Sequence, residues 1–151
     1  MSYCKASAIV EATPETIWDT CFAPMRWELW DHNIKKLTDV SGGCDDGTTC
    51  IFEQKDGKNF SFTLSNVEKN KRVDFSGVAL GGTIKAEGKV LITPVDNFST
   101  KIDYSFELSG SVGFVVAILK KRAVVEGTEG GLANMVKMSE EAQGSEIMFM
   151  N

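Results

Sequence analysis

The chain has 151 residues, 42% hydrophobic and 25% charged, which fits one globular domain large enough to bury its own core. Sixteen basic residues against twenty-one acidic ones leave a net charge of −5, which excludes an electrostatic footprint for nucleic acid. Four cysteines, at positions 4, 21, 44 and 50, form no CxxC pair. They read as free, reduced thiols, although Cys44 and Cys50 flank one acidic glycine turn.

In chain order, residues 3–12 predict a strand with Ala6, Ala8 and Val10 on one face. The N-terminus shows no basic region followed by a long apolar stretch, so it does not read as a signal peptide, and the chain is expected to be cytoplasmic. Thr13-Pro14-Glu15-Thr16 is a helix start, with Thr13 as N-cap and Pro14 at the first helical position. That helix, Pro14 to Phe22, projects Ile17, Trp18 and Cys21 to one side, and Ala23-Pro24 ends it. A second short helix over about 24–31 carries Trp27 and Trp30, three positions apart and therefore on one face. These indoles either cap one end of the core or line the entrance to a cavity, and a cavity wall is itself core.

From Ile34 the period becomes two. Strands are predicted over Ile34–Val40 and Thr48–Gln54. The latter ends in Lys55-Asp56-Gly57-Lys58, whose Asp-Gly pair signals a hairpin. In the next strand Phe60, Phe62 and Leu64 alternate with Ser61, Thr63 and Ser65. Arg72–Val78, Thr83–Val95 and Ser99–Ser109 follow, the second with Ile84, Ala86, Gly88, Val90 and Ile92 in one row. The third aligns Ile102, Tyr104, Phe106 and Leu108. Such alternation means an antiparallel meander with one wetted and one buried face.

After Ser111 the period is helical. Phe114, Ile118, Val125, Leu132 and Val136 share a stripe, widened by Ala117, Val124 and Met135. Gly144 is expected to close this helix and to leave residues 145–151 as an apolar tail after a single domain over 1–144. Gly127, Gly130 and Gly131 each cost the helix about 1 kcal/mol relative to alanine, which points either to close packing or to cavity space. Lys120-Lys121-Arg122 reads as a solvated face, and no apolar run approaches the roughly 20 residues that span a bilayer.

A single long amphipathic helix, about 10–12 Å across with its side chains, is narrower than a twisted sheet of six or seven strands. Apolar sheet must therefore remain uncovered, and it is expected to form a hollow between sheet and helix.

The stretch Ala6–Asp19, ASAIVEATPETIWD, resembles the entry strand and first helix of the START-like (SRPBCC) superfamily. Trp27-x-x-Trp30-Asp31-x-x-Ile34 is similar to the "W-x-x-W-D" element before that superfamily's second strand. Gly47-Thr48, Phe60-Ser61-Phe62 with Val67-Glu68, and Gly131-Leu132 also fit, most closely the polyketide cyclase-like branch. The resemblance spans about residues 4–142. It implies an α+β helix-grip fold: a curved antiparallel sheet of about seven strands around a long C-terminal helix, with two short helices after the first strand.

It also implies a pocket for a hydrophobic or aromatic small molecule or lipid. The expected wall residues are Trp27, Trp30, Phe60, Phe62, Tyr104, Phe106, Lys121, Val125 and Thr128. Tyr104 falls in an apolar row and needs a hydrogen-bond partner, while Lys121 either snorkels to water or meets an acidic ligand group. The only histidine, His32, suits proton transfer by type but stands at a helix end, where exposed imidazoles are common. No catalytic set, resident cofactor, metal site or nucleic-acid partner is expected, and the chain reads as a monomer or weak homodimer. A cyclase or dehydratase using the same cavity is the alternative activity. A co-chaperone-like or ubiquinone-chaperone-like interaction module, supported only by apolar residues 147–150, is a third reading.

Overall fold

Seven strands hydrogen-bond into one antiparallel sheet in the order β1-β7-β6-β5-β4-β3-β2. The strands are β1 (Ser2–Val10), β2 (Ile34–Ser41), β3 (Thr49–Gln54), β4 (Asn59–Glu68), β5 (Arg72–Ala79), β6 (Ile84–Pro94) and β7 (Thr100–Ser109). Between β1 and β2 lie two helices, α1 (Pro14–Cys21) and α2 (Trp27–Trp30), and the chain finishes in a long helix, α3 (Lys121–Met150). This computed structural model describes the backbone of residues 2–112 and 121–150 and the side chains of 3–112 and 121–147. The expected helix positions Phe114, Ala117 and Ile118 lie outside the described residues.

Local chemistry accounts for the element boundaries. Thr13 caps α1 by accepting a hydrogen bond from the Thr16 N–H at 3.2 Å, and Pro14 occupies the first turn, where no N–H is needed. The second helix is shorter than its pattern suggests because Met25 sits in the left-handed region at φ 70°, which breaks the helical path just before Trp27.

Across the sheet, inward rows are apolar and outward rows polar: β6 buries Ile84, Ala86, Val90 and Ile92 while Lys85, Glu87 and Lys89 face out. Two inward glycines let aromatic rings lie flat across the neighbouring strand. Gly77 pairs with Phe62, and a Cβ there would come within 2.7 Å of that ring. Gly88 pairs with Phe75, and its Cβ would reach 2.0 Å from the ring. Both glycines remove side-chain bulk where the sheet must carry large rings on its concave face.

Helix α3 rests mainly on β1 and α1, with further contact to β7 and α2. Its buried positions are Thr128, Gly131, Leu132, Met135 and Ser139, with Val124 half-buried. The stripe is thus rotated from the expected one, and Val125 and Val136 flank it. Small residues take the closest approach because rings already stand there: a Cβ on Gly131 would lie 3.3 Å from Trp30 and 3.6 Å from Tyr104. Gly127 approaches Asn33 in the same way, whereas Gly130 faces open space.

Gly144 does not close the helix, contrary to the sequence pattern. The helix continues to Met150, because polar links tie this part of α3 to the β1–α1 corner. Glu140 accepts from the Glu11 N–H at 2.9 Å, Gln143 from the Thr13 N–H at 3.0 Å, and Glu146 from the Thr16 hydroxyl at 3.2 Å. No helix among the described residues is long and apolar enough to cross a membrane.

Candidate functional site

The concave face divides into a filled part and a hollow one. Where α1, α2 and α3 meet β1 and β7, the core is solid: Val10, Ile17, Cys21, Phe22, Trp30 and Met135 are fully buried. Farther along, β3 to β6 and the part of β7 from Tyr104 to Leu108 face Ala123, Val124, Gly127 and Thr128 of α3 across a cavity of about 350 Å³. This volume is at the small end of sites that enclose organic ligands.

Its walls are mostly aromatic. Phe52, Phe60, Phe62, Phe75, Tyr104 and Phe106 contribute six rings, backed by Ile34, Ile84, Ala86 and Leu108. The rings brace one another, with Phe52 and Phe62 centroids 4.3 Å apart and Phe62 edge-on to Phe75 at 5.7 Å. Ala123, Val124, Gly127 and Thr128 of α3 form the roof, and Gln54, Lys55, Asp56 and Lys58 of the β3–β4 hairpin reach its edge.

Five of the nine sequence-predicted wall residues, Phe60, Phe62, Tyr104, Phe106 and Thr128, line this cavity. Trp27 and Trp30 do not line it. They stand one layer behind, at 1% and 0% exposure, with Trp27 edge-on to Phe75 at 4.9 Å and Trp30 edge-on to Tyr104 at 5.7 Å. The Trp30 indole N–H donates to the Cys21 carbonyl at 3.0 Å, which spends its polar atom inside the core. The Trp27 indole N–H is buried with no partner among the described residues. Val125 and Lys121 are also absent from the wall. Lys121 is exposed, because the rotated helix stripe turns Val124 and Thr128 inward instead. The Thr128 hydroxyl donates back to the Val124 carbonyl at 2.8 Å, so its methyl group is free to face the apolar space.

Polar groups in the cavity are few. Tyr104 is 4% exposed, its hydroxyl has no hydrogen-bond partner among the described residues, and burial together with the nearby Asp31 charge pushes its pKa well up. Asp31 itself lines the cavity, and sequence reasoning missed it. It closes α2, where its N–H donates to the Trp27 carbonyl at 2.9 Å, and its Oδ1 accepts from the Asn33 N–H at 3.0 Å. Burial raises its pKa above the ordinary carboxylate value, against the opposing effects of the Asn33 bond and of His32 and Lys55. The alternation rules that expose inward strand residues do not apply at a helix end, so only the W-x-x-W-D spacing held a signal for Asp31.

His32 is exposed and not part of the wall. All four cysteines are free, and burial pushes the thiols of Cys21, Cys44 and Cys50 up to about 11, so none of these three is a ready nucleophile. Among the described residues no group of His, Cys, Asp or Glu is arranged to hold a metal ion.

No family model and no curated protein sequence matches this chain. Solved structures do. A hypothetical protein from Helicobacter pylori superposes with a TM-score of 0.76 at 18% identity, over 91% of this chain and 88% of that one. Norcoclaurine synthase from Thalictrum flavum, in complex with dopamine and hydroxybenzaldehyde, gives 0.69 at 16% identity, over 93% and 87%. The di-domain ARO/CYC protein BexL of the BE-7585A biosynthetic pathway gives 0.71 at 14%, over 93% of this chain but 47% of its own length. At these identities the likeness is one of fold. The chain has the helix-grip fold of START-like proteins, a curved seven-stranded sheet gripping a long C-terminal helix.

Proposed function

From that fold we propose that the protein binds a hydrophobic or aromatic small molecule, as a carrier or sensor, in the hollow between its sheet and α3. The observation that carries this reading is the aromatic cavity of about 350 Å³, which a purely structural core would have filled. An apolar guest gains roughly 25 cal/mol for each Å² it removes from water, and the few polar groups present set its orientation. Two solved helix-grip proteins support the reading: one is a synthase captured with dopamine and hydroxybenzaldehyde, the other an ARO/CYC protein of a biosynthetic pathway.

Native mass spectrometry of gently purified protein against a panel of lipids, flavonoids and polyketides tests it. The reading predicts a one-to-one adduct that is lost in Val124→Trp, whose indole would occupy the roof of the cavity. A clean apo mass across the whole panel contradicts it. The cyclase or dehydratase reading gains one specific support, that Asp31 and Tyr104 line the same cavity and feel one another's charge. It would displace the carrier reading if Asp31→Asn and Tyr104→Phe each abolished turnover of a polyketide that both variants still bound.

A further inference from the structure

A half-buried carboxylate bordering an aromatic cavity is costly unless something compensates it, and the surroundings of Asp31 leave that compensation incomplete. One oxygen accepts a backbone N–H, from Asn33, and the other accepts no hydrogen bond from the described residues. No salt bridge reaches Asp31 among the described residues. The groups that face it are the His32 imidazole, on its own segment, and the Lys55 ammonium, from the β3–β4 hairpin; both are exposed to water. From β7 comes Tyr104, a neutral hydroxyl with no hydrogen-bond partner among the described residues. Six aromatic rings complete the walls, and their faces carry the negative end of the ring quadrupole.

Resting on the reading above, we propose that the ligand is an organic cation: an apolar or aromatic body bearing a protonated amine, with the ammonium against Asp31 and the Tyr104 hydroxyl and the body among the rings. Each class of guest has a definite consequence. A neutral guest brings at most a hydrogen bond and no compensating charge, and an anion adds a like charge in a medium that screens poorly. A cation completes the unpaired oxygen, can donate to the tyrosine oxygen, and is attracted by the ring faces. Lys55 stands exposed at the edge of the cavity, where water screens it, and the half-buried Lys58 shares that hairpin edge with the opposite charge of Asp56.

Three naphthalene probes of nearly equal size separate the possibilities by calorimetry at pH 7: 2-(1-naphthyl)ethylamine, 2-(1-naphthyl)ethanol and 1-naphthylacetate. The amine is expected to bind at least about tenfold tighter than the alcohol, and the acetate weakest. In Asp31→Asn, which keeps an oxygen for the Asn33 N–H, the amine should fall to the level of the alcohol, while the alcohol changes less than about twofold. If that variant does not fold, the pH dependence of wild-type binding replaces it. The amine's advantage should shrink as acid protonates Asp31, and the alcohol's affinity should not follow. Equal binding of amine and alcohol, tighter binding of the acetate, or an amine advantage that survives Asp31→Asn or acid overturns the proposal and leaves the apolar-ligand reading standing. No binding by any of the three overturns both.

Discussion

The two parts of the concave face are made of the same residue types and do opposite things. Beside β1 and the first residues of β7, α1 and α3 bring Leu132, Met135, Ile17 and Phe22 into one buried cluster with Val10 and Ile102. Beside β3 to β6, Phe52, Phe60, Phe62 and Phe75 brace one another on one side of a cavity, and among the described residues only small or half-buried positions of α3, Ala123, Val124, Gly127 and Thr128, face them across it. Apolarity alone therefore does not make a core. A core needs a second layer at the right distance, and one helix supplies that layer to only part of a seven-stranded sheet.

Changes that disturb this division should be felt in order of how rigid the local surroundings are. The largest effect is expected from Gly88→Val. The new side chain would drive into the Phe75 ring, which lies flat on that backbone, and would cost about 3 kcal/mol in chemical denaturation. Met135→Ala, in the filled part, should cost somewhat less, about 2.5 kcal/mol, because its neighbours cannot close the void. Phe60→Ala, at the cavity wall, should cost roughly half that by the same measurement, since the wall already borders empty space. Equal losses at these two positions would mean that the two parts of the face are packed alike.

The paired indoles sharpen the comparison. Trp30→Phe removes the bond to the Cys21 carbonyl and leaves that buried acceptor unmade, at a cost of about 1–2 kcal/mol beyond the lost packing. Trp27→Phe removes a donor that has no partner to lose, so it should be the milder of the two in thermal melts.

The smallest effect expected is a gain. Because burial raises the Asp31 pKa in the folded state, the native protein holds that proton more tightly than the unfolded chain does. Its contribution to stability therefore falls as pH rises from the ordinary carboxylate range through the raised value. Asp31→Asn should consequently raise Tm at pH 7 by about 2–4 °C, the equivalent of about 1 kcal/mol. The gain should disappear in acid below the ordinary carboxylate range, where both states are protonated. A Tm difference that is the same at both pH values would remove Asp31 as an uncompensated charge.

Much of this arrangement is legible in the amino-acid order. The Thr13-Pro14 cap, the Asp56-Gly57 hairpin and the alternation from Phe60 to Leu108 mark the elements within a residue or two, because caps and strand pleats act locally. The expectation of a hollow came from comparing widths, and such a comparison does not depend on side-chain detail. What local patterning misses is set by tertiary packing. The rotation of α3 toward Thr128, Gly131 and Ser139 is decided by the Trp30 and Tyr104 rings that it must clear, whereas hydrophobicity alone favours Val125. For the same reason Trp27 and Trp30 sit behind the wall: Phe75 and Tyr104 come between them and the cavity. Asp31 escaped notice because its inward position follows from how α2 ends, not from any period.

Whether the sheet and α3 enclose real space can be read by titrating the neutral environment-sensitive dye 6-propionyl-2-(dimethylamino)naphthalene into the protein and into Val124→Trp. A saturable, blue-shifted, one-to-one signal is expected from the wild type and none from the variant, with the variant as stable to heat as its parent or more so. An equal signal from both proteins, or none from either, would contradict that enclosure.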